Sequence, residues 1–74
     1  MAQHGATLRR FRTSRGVTQG ELAAAVGCSK SSISRREAGI TEIDEVELFA
    51  LIHEIARIAY RKRAETPPAV VIDE

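Results

Sequence analysis

Short apolar groups separated by glycines run along the first forty residues of the chain. Leu8 and Phe11 lie three positions apart, as on one face of a helix, and Thr7 in front of them is a candidate N-cap. Gly16 is a typical helix-ending residue directly after Arg15. The pattern therefore predicts a first helix that is capped by Thr7 and ends at Arg15.

Two further short helices are predicted between residues 18 and 39. Thr18 and Glu21 have the spacing of a capping box at the start of the earlier helix, and Gly27 is expected to end it. Ser29 can cap the later helix, which Gly39 would end. Two helices joined by a tight turn containing glycine are a helix-turn-helix candidate. The positions expected to face inward are Leu22, Ala23, Val26 and Ile33.

The longest periodic segment runs from Asp44 to Glu65 and contains no Gly, Pro or Asn. Asp44 can cap it, with Glu47 at the third helical position. Whether this segment forms one helix or two stays open. One apolar stripe is expected to close the core, and it consists of Leu48, Leu51, Ile52 and Ile55.

Further apolar residues of this segment lie outside the core stripe, namely Val46, Phe49, Ile58, Ala59 and Tyr60. A chain of 74 residues has little core with which to cover them. We expect a homodimer whose interface includes Phe49, Ile58 and Ala59, with the segment 44–65 as a dimerisation helix. The alternative is a monomer in which these residues pack back onto the first helix.

The composition is that of an ordinary globular chain, with 43% hydrophobic and 28% charged residues. No apolar run approaches the roughly 18 residues of a membrane span, and the first residues lack the apolar region of a secretory signal. The lone Cys28 cannot form an intrachain disulfide, so we expect a packing role and a cytoplasmic location.

Charge is distributed unevenly along the chain. Seven basic residues and one acid precede Glu37, whereas nine acids and four bases occur from Glu37 onward. This asymmetry indicates a polyanionic partner for the N-terminal half, unless both halves only present solvated faces. With Ile33 facing inward, the helical repeat directs Lys30, Ser31, Ser34 and Arg35 outward. These side chains can bond base edges in the major groove.

The stretch TQGELAAAVGCSKSSISRREAG resembles the helix-turn-helix of the phage repressor and Cro-type family, and LRRFRTSRGVTQ resembles that family's first helix. The resemblance covers residues 8–55. It implies that Lys30, Ser31 and Arg35 read bases, with Ser34 beside them. It also implies that Gln19 holds a DNA phosphate, with Thr18 capping behind it.

The same resemblance implies a structural ion pair between Arg12 and Glu37, which would connect the first helix to the third. Arg36 departs from the family pattern, because the matching position is usually apolar. Either its stem packs inward while its guanidinium reaches a phosphate, or the third helix is rolled slightly. We include Arg36 among the phosphate candidates on the first interpretation.

No catalytic or metal-binding set emerges from His4, His53, Cys28 and scattered serines, so we expect neither enzymatic activity nor a cofactor. His4 is expected in a loose terminus, and His53 on a polar helix face. The Pro-led tail 66–74 contains AVVI, which favours either β-pairing with a partner or disorder.

The sequence thus predicts an all-α fold: a compact helical bundle with a helix-turn-helix, an extended C-terminal helix and a short tail. Residues 1–65 would form the DNA-binding domain. The predicted function is sequence-specific binding of double-stranded DNA by a homodimeric repressor at a palindromic operator. The alternative is an antitoxin-like or anti-activator module whose C-terminal region, including Val70, Val71 and Ile72, binds a protein partner.

Overall fold

The computed structural model describes residues 3–65, and this part of the chain contains four α-helices and no strand. The all-α prediction is confirmed for these residues. The helices are α1 (Gln3–Ser14), α2 (Gln19–Val26), α3 (Lys30–Ala38) and α4 (Glu45–Glu65). The tail residues Val70, Val71 and Ile72 lie outside the described part of the chain.

The local signals that start and end α2 and α3 act as predicted. The Thr18 hydroxyl accepts from the Glu21 amide at 3.0 Å, while the Glu21 carboxylate accepts from the Thr18 amide at 2.9 Å. The Ser29 hydroxyl caps α3 by accepting from the Ser32 amide at 3.1 Å. Gly27 follows α2 at φ 78°, a left-handed conformation that glycine adopts without strain. The capping box, the Ser29 cap and the turn between the two helices are therefore confirmed.

The predicted start of α1 is wrong. The helix begins at Gln3, so Thr7 lies inside it and His4 is a half-buried helical residue rather than part of a loose terminus. The physical reason is a close approach between α1 and the end of α3. A Cβ atom at Gly5 would lie 2.3 Å from the carbonyl oxygen of Arg36, so only glycine fits at this point.

Nine buried apolar side chains form the core of the described residues, and all four helices contribute. Two of them, Val17 and Ile43, come from the connections between helices and were not among the predicted core positions. Val26 was predicted to face inward but is 38% exposed, because it ends α2 beside an open depression that Cys28 and Ala50 also line. The core residues are Leu8, Val17, Leu22, Ala23, Ile33, Ile43, Leu48, Leu51 and Ile55.

The segment after Asp44 is a single helix, which answers the question that the sequence left open. The Asp44 carboxylate caps it by accepting from the Glu47 amide at 2.8 Å, as predicted. The predicted core stripe is buried at three of its four positions, and Ile52 is half-buried. Among the helices of residues 3–65, none is both long enough and apolar enough to cross a membrane.

The apolar residues outside the core stripe divide into two groups. Ile58 and Ala59 are half-buried against the core, as the monomer alternative predicts for them. Val46, Phe49 and Tyr60 remain exposed, at 79%, 64% and 77% of their surface. Helix α4 therefore has one face on the core and a second apolar face directed toward solvent.

Candidate nucleic-acid interface

The outward face of α3 presents four polar side chains on one surface. Lys30, Ser31, Ser34 and Arg35 are all exposed, while Ile33 on the opposite side is fully buried. Burial of Ile33 fixes the rotation of the helix, and the 100° step per residue then directs the four polar positions outward. The surface offers a guanidinium, an ammonium and two hydroxyl groups, the donors that suit base edges and phosphates.

Gln19, at the first position of α2, lies beside this surface. It lines one shallow depression together with the four polar residues of the outward face of α3. A second depression connects Gln19 and Lys30 with Thr18, the N-cap of α2. The structure therefore brings six of the seven predicted DNA-contacting residues together, and the seventh, Arg36, is placed elsewhere.

A buried polar cluster lies directly behind Gln19. Arg12 of α1 donates from Nε and Nη2 to the two carboxylate oxygens of Glu37, at 2.5 and 2.9 Å. Arg12 also donates from Nη1 to the Val17 carbonyl oxygen at 2.8 Å, and Gln19 donates from Nε2 to Glu37 at 3.0 Å. Arg12 and Glu37 are each 8% exposed. The cluster joins α1, the start of α2 and the end of α3, so it sets the position of Gln19 relative to the face of α3.

Two opposing effects act on the carboxylate of Glu37. Burial by itself would raise its pKa, but the hydrogen bonds from Arg12 and Gln19, together with the Arg12 charge, outweigh burial and lower it. The carboxylate is therefore held in its ionised, hydrogen-bond-accepting form. The Glu21 carboxylate in the capping box also has a lowered pKa, chiefly because it accepts from the backbone amide of Thr18 and then from Lys62.

Arg36 lines neither of the two depressions beside Gln19 and instead joins α3 to α4. Its Nε donates to the Glu47 carboxylate at 2.9 Å, and its Nη1 bonds the hydroxyl group of Ser32. The side chain is partly buried, with its stem packed and its guanidinium held by these partners. This placement corresponds to the packed stem that we considered for Arg36, but the guanidinium has a protein carboxylate as its partner.

Sequence reasoning missed two side chains of α4 that connect this helix to the elements of the candidate interface. Glu47 is the partner of Arg36, and no local spacing pointed to it. Lys62, near the end of α4, donates to the Gly16 carbonyl oxygen at 2.7 Å and to Glu21 at 3.1 Å. These bonds attach α4 to the connection between α1 and α2. The only sequence signal for Lys62 was the basic character of the last turn of α4.

Within residues 3–65, no three His, Cys, Asp or Glu side chains are grouped as metal ligands would be. Cys28 is exposed and unpaired in this part of the structure, which differs from the predicted packing role. His4 and His53 lie on different helices, α1 and α4.

Comparison with known proteins agrees with the geometry. A family model described as a helix-turn-helix domain matches residues 3–65, which is most of the chain and includes all four helices. No curated protein and no solved structure matches the chain. Domains of this kind are typically DNA-binding modules without catalytic activity. The chain belongs to the helix-turn-helix domain family of DNA-binding proteins.

Proposed function

We propose that this protein is a sequence-specific transcriptional regulator of the phage repressor and Cro-like type. It acts as a repressor and binds a palindromic operator as a homodimer, with one recognition helix in the major groove of each half-site. The observation that carries the proposal is the donor-rich, exposed face of α3 with Gln19 beside it. A helix with four adjacent polar side chains, including two cations, suits the major groove of double-stranded DNA.

Base reading is assigned to α3. Arg35 can bond the O6 and N7 acceptors of one guanine at the same time, and Lys30 can bond the same atoms singly. Ser31 and Ser34 have short side chains, so the helix can enter the groove deeply. All four are free of intramolecular side-chain hydrogen bonds within the described residues, so their donors remain available to DNA.

Phosphate contact is assigned to the start of α2. The first amides of a helix lack intrahelical partners, and Gln19 and Thr18 lie at this end of α2. The bond from Gln19 to Glu37 holds its side chain in one orientation. Arg36 is left out of the proposed phosphate contacts, because contact with DNA would require it to leave Glu47.

The deciding experiment is selection of bound sequences from random duplex DNA, using the full chain. We expect a two-fold symmetric consensus whose half-sites contain at least one invariant guanine. Recovery of sequences without any consensus would contradict sequence-specific binding. Recovery of a single asymmetric site would contradict the homodimeric operator complex but not DNA recognition by α3.

Two substitutions then separate base reading from phosphate contact. Arg35→Ala should cost about 1–3 kcal/mol on the selected operator and relax specificity at one base pair of each half-site. Gln19→Ala should weaken binding of operator and random DNA alike. Arg61→Ala, at an exposed arginine on α4, is the control and should change neither. Equal losses on operator and random DNA for Arg35→Ala would remove Arg35 from the base-reading residues.

A further inference from the structure

Four exposed apolar residues of α4, with one histidine among them, follow a regular spacing. Val46, Phe49, His53, Ala56 and Tyr60 are separated alternately by three and four positions, and all five are exposed. This is the repeat that keeps one helix face against a partner helix along its length. We call these five residues the seam. Four of its five side chains are apolar, and His53 in the middle is the exception.

The seam is separate from the face of α4 that packs on the core. At 100° per residue the seam covers a band roughly 80° wide, centred about 140° around the helix from buried Ile55. Ile58 and Ala59 belong to the core-facing side, where they are half-buried. A partner helix could therefore lie on the seam without disturbing the packing of α4 on α1 and α2.

Charge indicates what covers the seam. Helix α4 has Glu45 and Glu47 in its first turn, and Lys62 and Arg63 in its last turn. Glu45 and Arg63 are about five helical turns apart, so they flank the seam on the same side. A second α4 in antiparallel orientation brings Glu45 next to Arg63 of the other copy, twice by symmetry. A parallel orientation would bring equal charges together. On the other side Arg57 already bonds Glu54 within its own helix, at 3.3 Å.

We propose that two copies of this chain dimerise by antiparallel pairing of their α4 helices along the seam. In the two-fold register that places Glu45 beside Arg63, the seam residue nearest to Phe49 is Tyr60 of the second copy, and the one nearest to His53 is Ala56. The proposal rests on the homodimer of the proposed function and specifies its interface, but it requires no DNA contact. Compared with the dimer interface predicted from the sequence, this interface retains Phe49 but contains the other seam residues in place of Ile58 and Ala59.

His53 has a defined role in this interface. A polar residue at one position of an otherwise apolar seam lowers affinity but fixes the register and the number of strands. His53→Leu should therefore tighten the dimer at least tenfold, as measured by its dissociation constant. A dimer weakened by this substitution would overturn the placement of His53 between the helices.

Sedimentation of the full chain, without DNA, tests the interface. The wild type should sediment as a dimer at micromolar concentration, and Phe49→Asp should lose the dimer because it places an unpaired charge in an apolar contact. Ile40→Asp is the matched control: Ile40 is 75% exposed and lies outside α4, so the dimer should persist. Circular dichroism should show both variants folded, since neither residue is in the core. A monomeric wild type, or a dimeric Phe49→Asp variant, would overturn the proposal.

Cross-linking tests the orientation. Glu45→Cys and Arg63→Cys chains, each also carrying Cys28→Ser, are mixed and treated with a short bifunctional thiol reagent, with one chain isotopically labelled. An antiparallel pair places the thiol introduced at position 45 beside the thiol introduced at position 63 of the other copy, whereas identical positions lie about 27 Å apart along the helix. The mixed pair also retains one Glu45 to Arg63 contact. We expect the product that joins the two different chains; products joining only identical chains, or none, would overturn antiparallel pairing.

The measurements on the dimer interface can contradict the seam without contradicting DNA binding, and the DNA experiments can do the reverse. Loss of the consensus in the DNA selection with an intact, cross-linkable dimer would overturn the proposed function and leave the seam. A two-fold symmetric consensus with a dimer that survives Phe49→Asp would overturn the seam and leave the function.

Discussion

Arg12 and Glu37 occupy the point where α1, α2 and α3 meet, and both are nearly inaccessible to water. Two charges at such a site are compensated because each makes several hydrogen bonds to the other or to its surroundings. The same carboxylate also holds Gln19, which we assign to a DNA phosphate. One buried pair therefore contributes to the stability of the fold and to the orientation of Gln19.

Removal of one partner should be costly. Glu37→Ala leaves the buried Arg12 guanidinium without its carboxylate, and we expect a loss of roughly 3–5 kcal/mol in unfolding free energy. Glu47→Ala breaks the more exposed pair with Arg36 and should cost about 1 kcal/mol or less. Urea unfolding measures both. In a double-mutant cycle, Arg12→Ala and Glu37→Ala should be strongly non-additive; additive losses would show that the two side chains are not coupled.

The lowered pKa of Glu37 predicts how stability depends on pH. As pH falls, the unfolded chain binds the proton at the ordinary value of 4.5, before the folded chain does. The stabilisation is therefore complete above about pH 4.5 and is lost as pH falls from there toward the lower pKa of the folded state. Glu37→Gln should flatten this acid limb of a stability curve measured by urea unfolding. An unchanged acid limb would mean that other carboxylates, such as Glu21, cause it.

At the scale of single helices, the sequence predicts those features that depend only on residues a few positions apart. The caps at Thr18, Ser29 and Asp44 each act across three positions, so their spacing in the sequence was sufficient. The start of α1 depends instead on contact with α3, about thirty residues away, and no local signal indicates it. A cap candidate such as Thr7 was therefore misleading.

The close contact between α1 and α3 at Gly5 should reverse the usual effect of a glycine-to-alanine substitution on stability. In an ordinary helix, Gly→Ala stabilises by about 1 kcal/mol. Gly20→Ala in α2 should follow this rule, since its Cβ would meet only the Thr18 hydroxyl oxygen, at 3.9 Å. Gly5→Ala should instead destabilise the protein, because its Cβ would lie 2.3 Å from the backbone oxygen of Arg36 and must push α1 away from α3. Thermal melts of both variants compare them directly, and a stabilised Gly5→Ala variant would contradict the close contact.

The candidate site likewise has features that the local sequence predicts and features that depend on how the helices pack. The outward direction of Lys30, Ser31, Ser34 and Arg35 followed from one inward residue, Ile33, and the helical repeat. The partner of Arg36 did not, because it depends on how α3 lies relative to the first turn of α4. Sequence patterns thus predicted which face of a helix is exposed, whereas long-range charge pairs required the packed structure.

At the scale of the whole molecule, α4 has two apolar faces, of which one is buried and the other exposed. One face completes the core and is attached to the rest of the domain through Lys62 and Glu47. The other face, the seam, is exposed among residues 3–65, and it is the face on which we propose that a second copy packs. The sequence predicted surplus apolar surface on this helix, but it could not show which apolar residues face the core and which face solvent. Ile58 and Ala59 pack against the core, and their residue types alone do not distinguish them from the residues of the seam.

Dimerisation through the seam should be visible in the salt dependence of DNA binding. Each phosphate contact releases counterions, so the logarithm of affinity falls with the logarithm of salt concentration in proportion to the number of contacts. A dimer on a palindromic operator makes two equal sets of contacts, and a monomer makes one. Phe49→Asp should therefore bind the operator much more weakly and with about half the salt slope. Phe49→Leu, which keeps the seam apolar, is the control and should retain the wild-type slope. Titrations of operator DNA at several salt concentrations measure the slope of each variant. A wild-type slope for monomeric Phe49→Asp would mean that one copy alone makes all the phosphate contacts.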